Sequence, residues 1–69
     1  MNPSELKALA EMYQSQYDDG EITSTEFKDL VKDLEITKAI AKNAEEFDKD
    51  QETRDYLVKV LTVALAIYP

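Results

Sequence analysis

The chain lacks the two residue types that most often anchor small folds. Its 69 residues include no cysteine and no histidine. Disulfide bonds are therefore impossible, and zinc or haem sites of the ordinary kinds lose their preferred ligands. A domain of this length buries only roughly 60% of the surface that its unfolded chain exposes. We therefore expect tight helical packing, self-association or both to stabilise the fold.

Apolar runs long enough to cross a bilayer are also missing. The most apolar stretch is VLTVALAIY at 60–68, and a membrane helix needs roughly 20 such residues. The N-terminal sequence MNPSELKA lacks the basic region and apolar run of a signal peptide. We expect a soluble, cytoplasmic protein with no membrane partner, and the absence of cysteine agrees with a reducing compartment.

Helix breakers are scarce, with one glycine and two prolines. Helical spacing of apolar residues recurs along the chain. The sequence predicts one small all-α domain over 1–69 with three helices, at about 3–18, 24–47 and 50–67. The first two helices form an αα-hairpin, and self-association is a second way to complete the fold.

The second predicted helix has a change of face in its middle. Its first stripe is Phe27, Leu30, Val31 and Leu34, whereas the apolar residues from Ile36 to Phe47 lie on a rotated face. One long helix with two neighbours explains this pattern, and so does a break near Glu35 with Thr37 as a new cap. The absence of glycine and proline favours the continuous helix. A looser connection near 48–50 follows, where Asp48 and Gln51 have capping-box spacing.

The segment Asp19–Phe27, DGEITSTEF, predicts a sharp turn between two helices. Gly20 can adopt the positive φ that ends a helix. Thr23 precedes Glu26 by three residues, as in a capping box, and Ile22 and Phe27 occupy the positions of a hydrophobic staple.

The same segment resembles the second half of an EF-hand calcium loop. Asp19, Gly20, Ile22 and Glu26 match a ligand, the turn glycine, the apolar eighth position and the final glutamate of that family. The first half departs from the family at its first and third ligand positions, which hold Ser15 and Tyr17. Calcium needs six to eight oxygen ligands, and two carboxylates do not supply them. We therefore predict no metal site.

A second resemblance covers about residues 6–34. The pattern L-x-x-L followed by Y-D-x-G-x-I-T-x-x-E-F and a later leucine is similar to the SHOCT family of short helical hairpins. It is carried by Leu6, Leu9, Tyr17, Gly20, Ile22, Thr23, Glu26, Phe27 and Leu34. The resemblance implies a module that mediates protein assembly and has no catalytic residues. The second helix departs from the family by mixing Asp29 and Asp33 with its basic positions.

Negative charge is concentrated in the first half of the chain. The net charge is −7, and residues 1–35 hold nine acidic and three basic side chains. Such a surface repels phosphate backbones, so we expect no direct binding to nucleic acid. It suits a basic protein partner, and the candidate acidic face comprises Asp18, Asp19, Glu21, Asp29 and Asp33.

The C-terminal helix is apolar nearly all round. Its candidate self-association surface comprises Leu57, Val60, Leu61, Ala64, Leu65 and Tyr68, and Val58, Val63, Ala66 and Ile67 extend it. A helix that is apolar on every side is normally buried on every side. We expect this helix to lie centrally, to form a homo-oligomer interface, or both. The alternative is that the six residues simply form the intramolecular core.

No pattern in the chain predicts catalysis. The only candidates for acid–base chemistry are Glu45, Glu46, Asp48 and Asp50. We expect them on an exposed connection that offers no pocket to shift their pKa values. We predict a non-enzymatic interaction module that needs no cofactor and self-associates through its C-terminal helix. The alternative hypothesis is a small acidic, phage-type inhibitor that occupies a basic or nucleic-acid-binding site on a larger protein.

Overall fold

A computed structural model of the protein describes residues 2–67. These residues form five α-helices and, in that range, no strand. The helices are α1 (Pro3–Asp18), α2 (Ser24–Asp33), α3 (Ile36–Lys42), α4 (Ala44–Lys49) and α5 (Gln51–Leu65). The all-α prediction is confirmed, and so are the bounds of the first helix.

Backbone and side-chain caps fix both ends of α1. The Asn2 side-chain oxygen accepts the backbone N–H of Glu5 at 2.8 Å. At the other end, Gly20 has φ +76° and donates to the Tyr17 carbonyl, while Glu21 donates to the Gln16 carbonyl at 2.8 Å. These two bonds form a Schellman motif. The motif requires a residue with positive φ at this position, which Gly20 provides.

The predicted capping box starts α2. The Thr23 hydroxyl accepts the Glu26 backbone N–H at 3.1 Å, and the Glu26 carboxylate accepts the Thr23 N–H at 2.9 Å. Across the turn, the rings of Tyr17 and Phe27 stack with centroids 4.6 Å apart. Ile22 is half-buried against the core that contains Phe27. These contacts close α1 and α2 into the predicted hairpin.

The continuous helix expected over 24–47 is wrong, because the chain breaks at Glu35. This residue adopts the left-handed conformation, with φ +48° and ψ +50°. The alternative of a break near Glu35 is therefore correct, although α3 begins at Ile36 and Thr37 does not cap it. The left-handed region costs a residue with a side chain roughly 1–2 kcal/mol.

Burial of Ile36 explains why the chain accepts that cost. In a straight helix, nine residues separate Phe27 from Ile36 by a rotation of about 180°, so the two side chains would face opposite sides. The turn at Glu35 brings both into one core, where each is about 1% exposed or less. Burying an isoleucine side chain contributes about 1.5–3 kcal/mol, which is enough to offset a strain of this size.

A second interruption, at Asn43, separates α3 from α4. The loose connection expected near 48–50 is instead helical through Lys49, and Asp50 alone links α4 to α5. The predicted pairing of Asp48 with Gln51 is also wrong. Asp50 is the N-cap, and its carboxylate accepts both the backbone N–H of Thr53, at 3.2 Å, and the Thr53 hydroxyl, at 2.7 Å.

The C-terminal helix is the centre of the fold, as the sequence predicts. Every other helix packs against α5. The buried apolar core takes residues from all five helices: Leu6, Ala10, Phe27, Val31, Ile36, Phe47, Leu57, Val60 and Ala64. The core therefore forms between α5 and the four helices that pack against it.

The break at Glu35 gives a stability test with a definite sign. Glu35→Gly and Glu35→Ala both remove the exposed ion pair with Lys38. At a left-handed position glycine is the more stable by about 1 kcal/mol, whereas within a continuous helix alanine is the more stable by about 1 kcal/mol. We expect urea unfolding to rank the glycine variant above the alanine variant. The reverse order would contradict the break.

The cap at Asp50 gives a pH test. The hydrogen bond from the Thr53 hydroxyl, and then that from its backbone N–H, hold the pKa of Asp50 below its ordinary value. A lowered folded-state pKa adds stability above the unfolded pKa, near 4, and that stability is lost as pH falls through the folded pKa. We expect Asp50→Asn to lose less stability than the wild type below about pH 4. Asp48→Asn is the control. If the free energy of unfolding falls equally steeply below about pH 4 in Asp50→Asn and in Asp48→Asn, the prediction is refuted.

Candidate protein-interaction surfaces

Three of the six residues of the candidate self-association surface are buried in the core of the single chain. Leu57, Val60 and Ala64 are at most 2% exposed and belong to the core. They therefore fit the alternative interpretation, and a partner cannot reach them without unfolding the domain. Leu61 is partly buried and Leu65 is exposed. Tyr68 lies outside the described residues.

One side of α5 nevertheless remains apolar and uncovered. Val58 is 45% exposed and Leu65 is 58% exposed. With Leu61 they follow i, i+3, i+7 spacing, which places all three on one helix face. We call these three residues the α5 flank. Val58 was predicted only as an extension of the apolar stripe, although this spacing identifies it.

A groove of about 390 Å³ runs between the α5 flank and the break at Glu35. Its walls are Val31, Lys32, Glu35, Ile36, Thr37, Lys38, Leu61 and Leu65. The groove exists because the chain turns at Glu35, so α3 leaves the line of α2 beside the end of α5. Sequence reasoning missed the α2 and α3 walls because it expected a straight helix there.

The end of α5 is fastened to α2 by one long-range hydrogen bond. The Lys28 ammonium donates to the Ile67 carbonyl at 2.9 Å. A cation there also offsets the partial negative charge of the helix C-terminus. This contact fixes the end of α5, and with it Leu65, relative to α2.

The charges on α2 are separated by face. Lys28 and Lys32 are one turn apart on the side facing the end of α5, while Asp29 and Asp33 are rotated by about 100° from them. All five residues of the candidate acidic face are exposed: Asp18, Asp19, Glu21, Asp29 and Asp33. Among the described residues the only ion pair joins Lys38 to Glu35, at 3.4 Å. The acidic face is therefore open to a partner.

The opposite side of α5 carries a smaller depression of about 260 Å³. Gln14, Tyr56, Lys59, Val60 and Val63 line it. Burial, followed by the negative charges of Glu11 and Asp18, raises the pKa of Tyr56. Tyr56 therefore stays neutral at physiological pH and packs as a polar edge of the core.

In the turn that resembles an EF-hand, the glutamate side chain binds a backbone N–H rather than standing free as a metal ligand. Glu26 accepts a hydrogen bond from Thr23 as part of the capping box. Over residues 2–67 no three acidic side chains lie close enough together to hold a metal ion. In the same range no helix combines the length and apolar character needed to span a membrane.

Comparisons with protein-family models, curated protein sequences and solved structures find no match to this chain.

Proposed function

We propose that this protein is a non-enzymatic helical interaction module that self-associates through the α5 flank. The observation that carries the proposal is the exposure of Val58 and Leu65 on one face beside an apolar groove. Burying such residues on association removes apolar surface from water at about 25 cal/mol per Å². The resemblance of residues 6–34 to SHOCT hairpins supports the same class of function.

The small size of the flank sets the expected strength of association. A stable, specific interface buries about 800 Å² on each partner. Three side chains are only the centre of such a contact, so the groove walls must contribute to it. We expect a reversible oligomer with a dissociation constant in the micromolar range, on the order of 10–100 µM.

Sedimentation velocity of a paired set of variants tests this proposal. The double variant Val58→Gln/Leu65→Gln removes the exposed apolar groups while keeping good helix formers. Met12→Gln is the matched control, because Met12 is 46% exposed on α1. Each surface change should alter unfolding free energy by no more than about 0.5 kcal/mol.

We expect the average mass of wild type and of Met12→Gln to rise as the protein concentration increases from about 10 µM to about 500 µM. This range brackets the expected dissociation constant. The double variant should stay monomeric throughout. A wild type that remains monomeric over the whole range would contradict self-association.

The exposed acidic face favours a second candidate function, that of an acidic inhibitor. Its five carboxylates lie at the end of α1, on the α1–α2 turn and on α2, and none forms an ion pair within the described chain. A basic, often nucleic-acid-binding, site on a larger protein has the complementary charge. Binding of this type weakens strongly as ionic strength rises.

Affinity capture from the native host extract tests the inhibitor function. One variant neutralises the acidic face by Asp→Asn and Glu→Gln changes, and a control neutralises five exposed carboxylates elsewhere, Glu45, Glu46, Asp48, Glu52 and Asp55. We expect wild type and control to capture the same basic protein, the face variant to lose it, and ~0.5 M NaCl to release it. Capture that is indifferent to salt, or equal loss in both variants, would reject this function.

A further inference from the structure

We propose that a second copy of this chain binds head to tail, with its acidic face in the groove beside the α5 flank. The proposal rests on self-association through that flank and specifies what fills the groove. On α2 the lysines that border the groove and the aspartates of the acidic face are rotated by about 100° from each other, so each copy can offer both surfaces.

The groove is the basic end of an acidic protein. Lys32 and Lys38 are among its walls, and Lys28 lies on the same side of α2 as Lys32. Glu35 is the only acidic wall residue, and it is paired with Lys38. The chain has no acidic residue after Asp55, so the apolar half of α5 adds none. The groove therefore combines apolar walls with a positive rim.

The acidic face has the opposite charge and is open. Asp29 and Asp33 are exposed on α2, and the turn adds three exposed carboxylates. Leu30 and Ile22 lie among these carboxylates in the chain and are partly exposed. This face can therefore offer apolar contact as well as negative charge to the groove.

Charge decides between the two ways in which identical copies can meet. If two grooves faced each other, Lys32 of one copy would approach Lys32 of the other, because Lys38 is already paired with Glu35. Like charges placed together in an interface are unfavourable, whereas opposite charges steer association and fix its register. A groove that receives the acidic face makes a heterologous contact, which generates rings or open chains.

The head-to-tail arrangement also predicts the effect of salt. Screening weakens contacts between complementary charges, so association should fall as NaCl rises from about 0.05 M to about 0.5 M. A face-to-face contact of apolar flanks with like-charged rims should instead be unchanged or strengthened.

Mixing two variants tests the arrangement directly. The groove variant is Val58→Gln/Leu65→Gln, and the acidic-face variant is Asp29→Lys/Asp33→Lys. We expect each alone to self-associate at least ~10-fold more weakly than wild type. An equimolar mixture should form a 1:1 heterodimer, because the groove variant keeps an intact acidic face and its partner keeps an intact groove. Glu45→Lys/Asp48→Lys, with the same charge change on α4, should associate as wild type does.

The outcomes separate this inference from the proposed function. If wild type self-associates but the acidic-face variant does so equally well, the head-to-tail arrangement is overturned and self-association through the flank stands. The head-to-tail arrangement is also overturned if circular dichroism shows that both variants are folded but their mixture forms no heterodimer. A wild type that is monomeric at every concentration overturns both.

Discussion

The structure depends on burying one side of α5. Leu57, Val60 and Ala64 are almost fully inaccessible, and each of the other helices contributes one or two large side chains to cover them. Burying a leucine or phenylalanine side chain contributes about 1.5–3 kcal/mol, so this contact layer dominates the stability of so small a chain. The four covering helices leave Val58 and Leu65 of the α5 flank exposed. The candidate interaction surface therefore borders the core.

The turn at Glu35 links the core to the candidate surface. A residue other than glycine in the left-handed conformation costs roughly 1–2 kcal/mol, and burial of Ile36 offsets that cost. Without the turn, α3 would continue along α2 and Ile36 would face away from Phe27. The same redirection places Ile36, Thr37 and Lys38 opposite Leu61 and Leu65, which forms the groove. One local conformation therefore completes the core and shapes the surface.

Features set by neighbouring residues were predictable from the sequence, and features set by tertiary packing were not. The α1 caps, Gly20 and the Thr23–Glu26 box depend on contacts within a few residues, so their spacing predicted them correctly. The break at Glu35 has no glycine or proline to mark it; only the rotation of the apolar face near Ile36 signalled it. Likewise, the stripe from Leu57 to Leu65 indicated an apolar helix but not which residues its neighbours would cover. The exposure of Val58 and the position of the lysines beside the groove emerged only from the folded arrangement.

In the proposed oligomer, another copy of the protein covers the α5 flank and its groove. The most direct test records amide ¹H–¹⁵N spectra while the protein is diluted from about 1 mM to about 20 µM. This concentration range covers the expected dissociation constant. We predict concentration-dependent shifts in residues 29–38 and 58–65, while amides of α4 away from these surfaces stay constant. Spectra that do not change with dilution, or changes confined to other surfaces, would contradict the account.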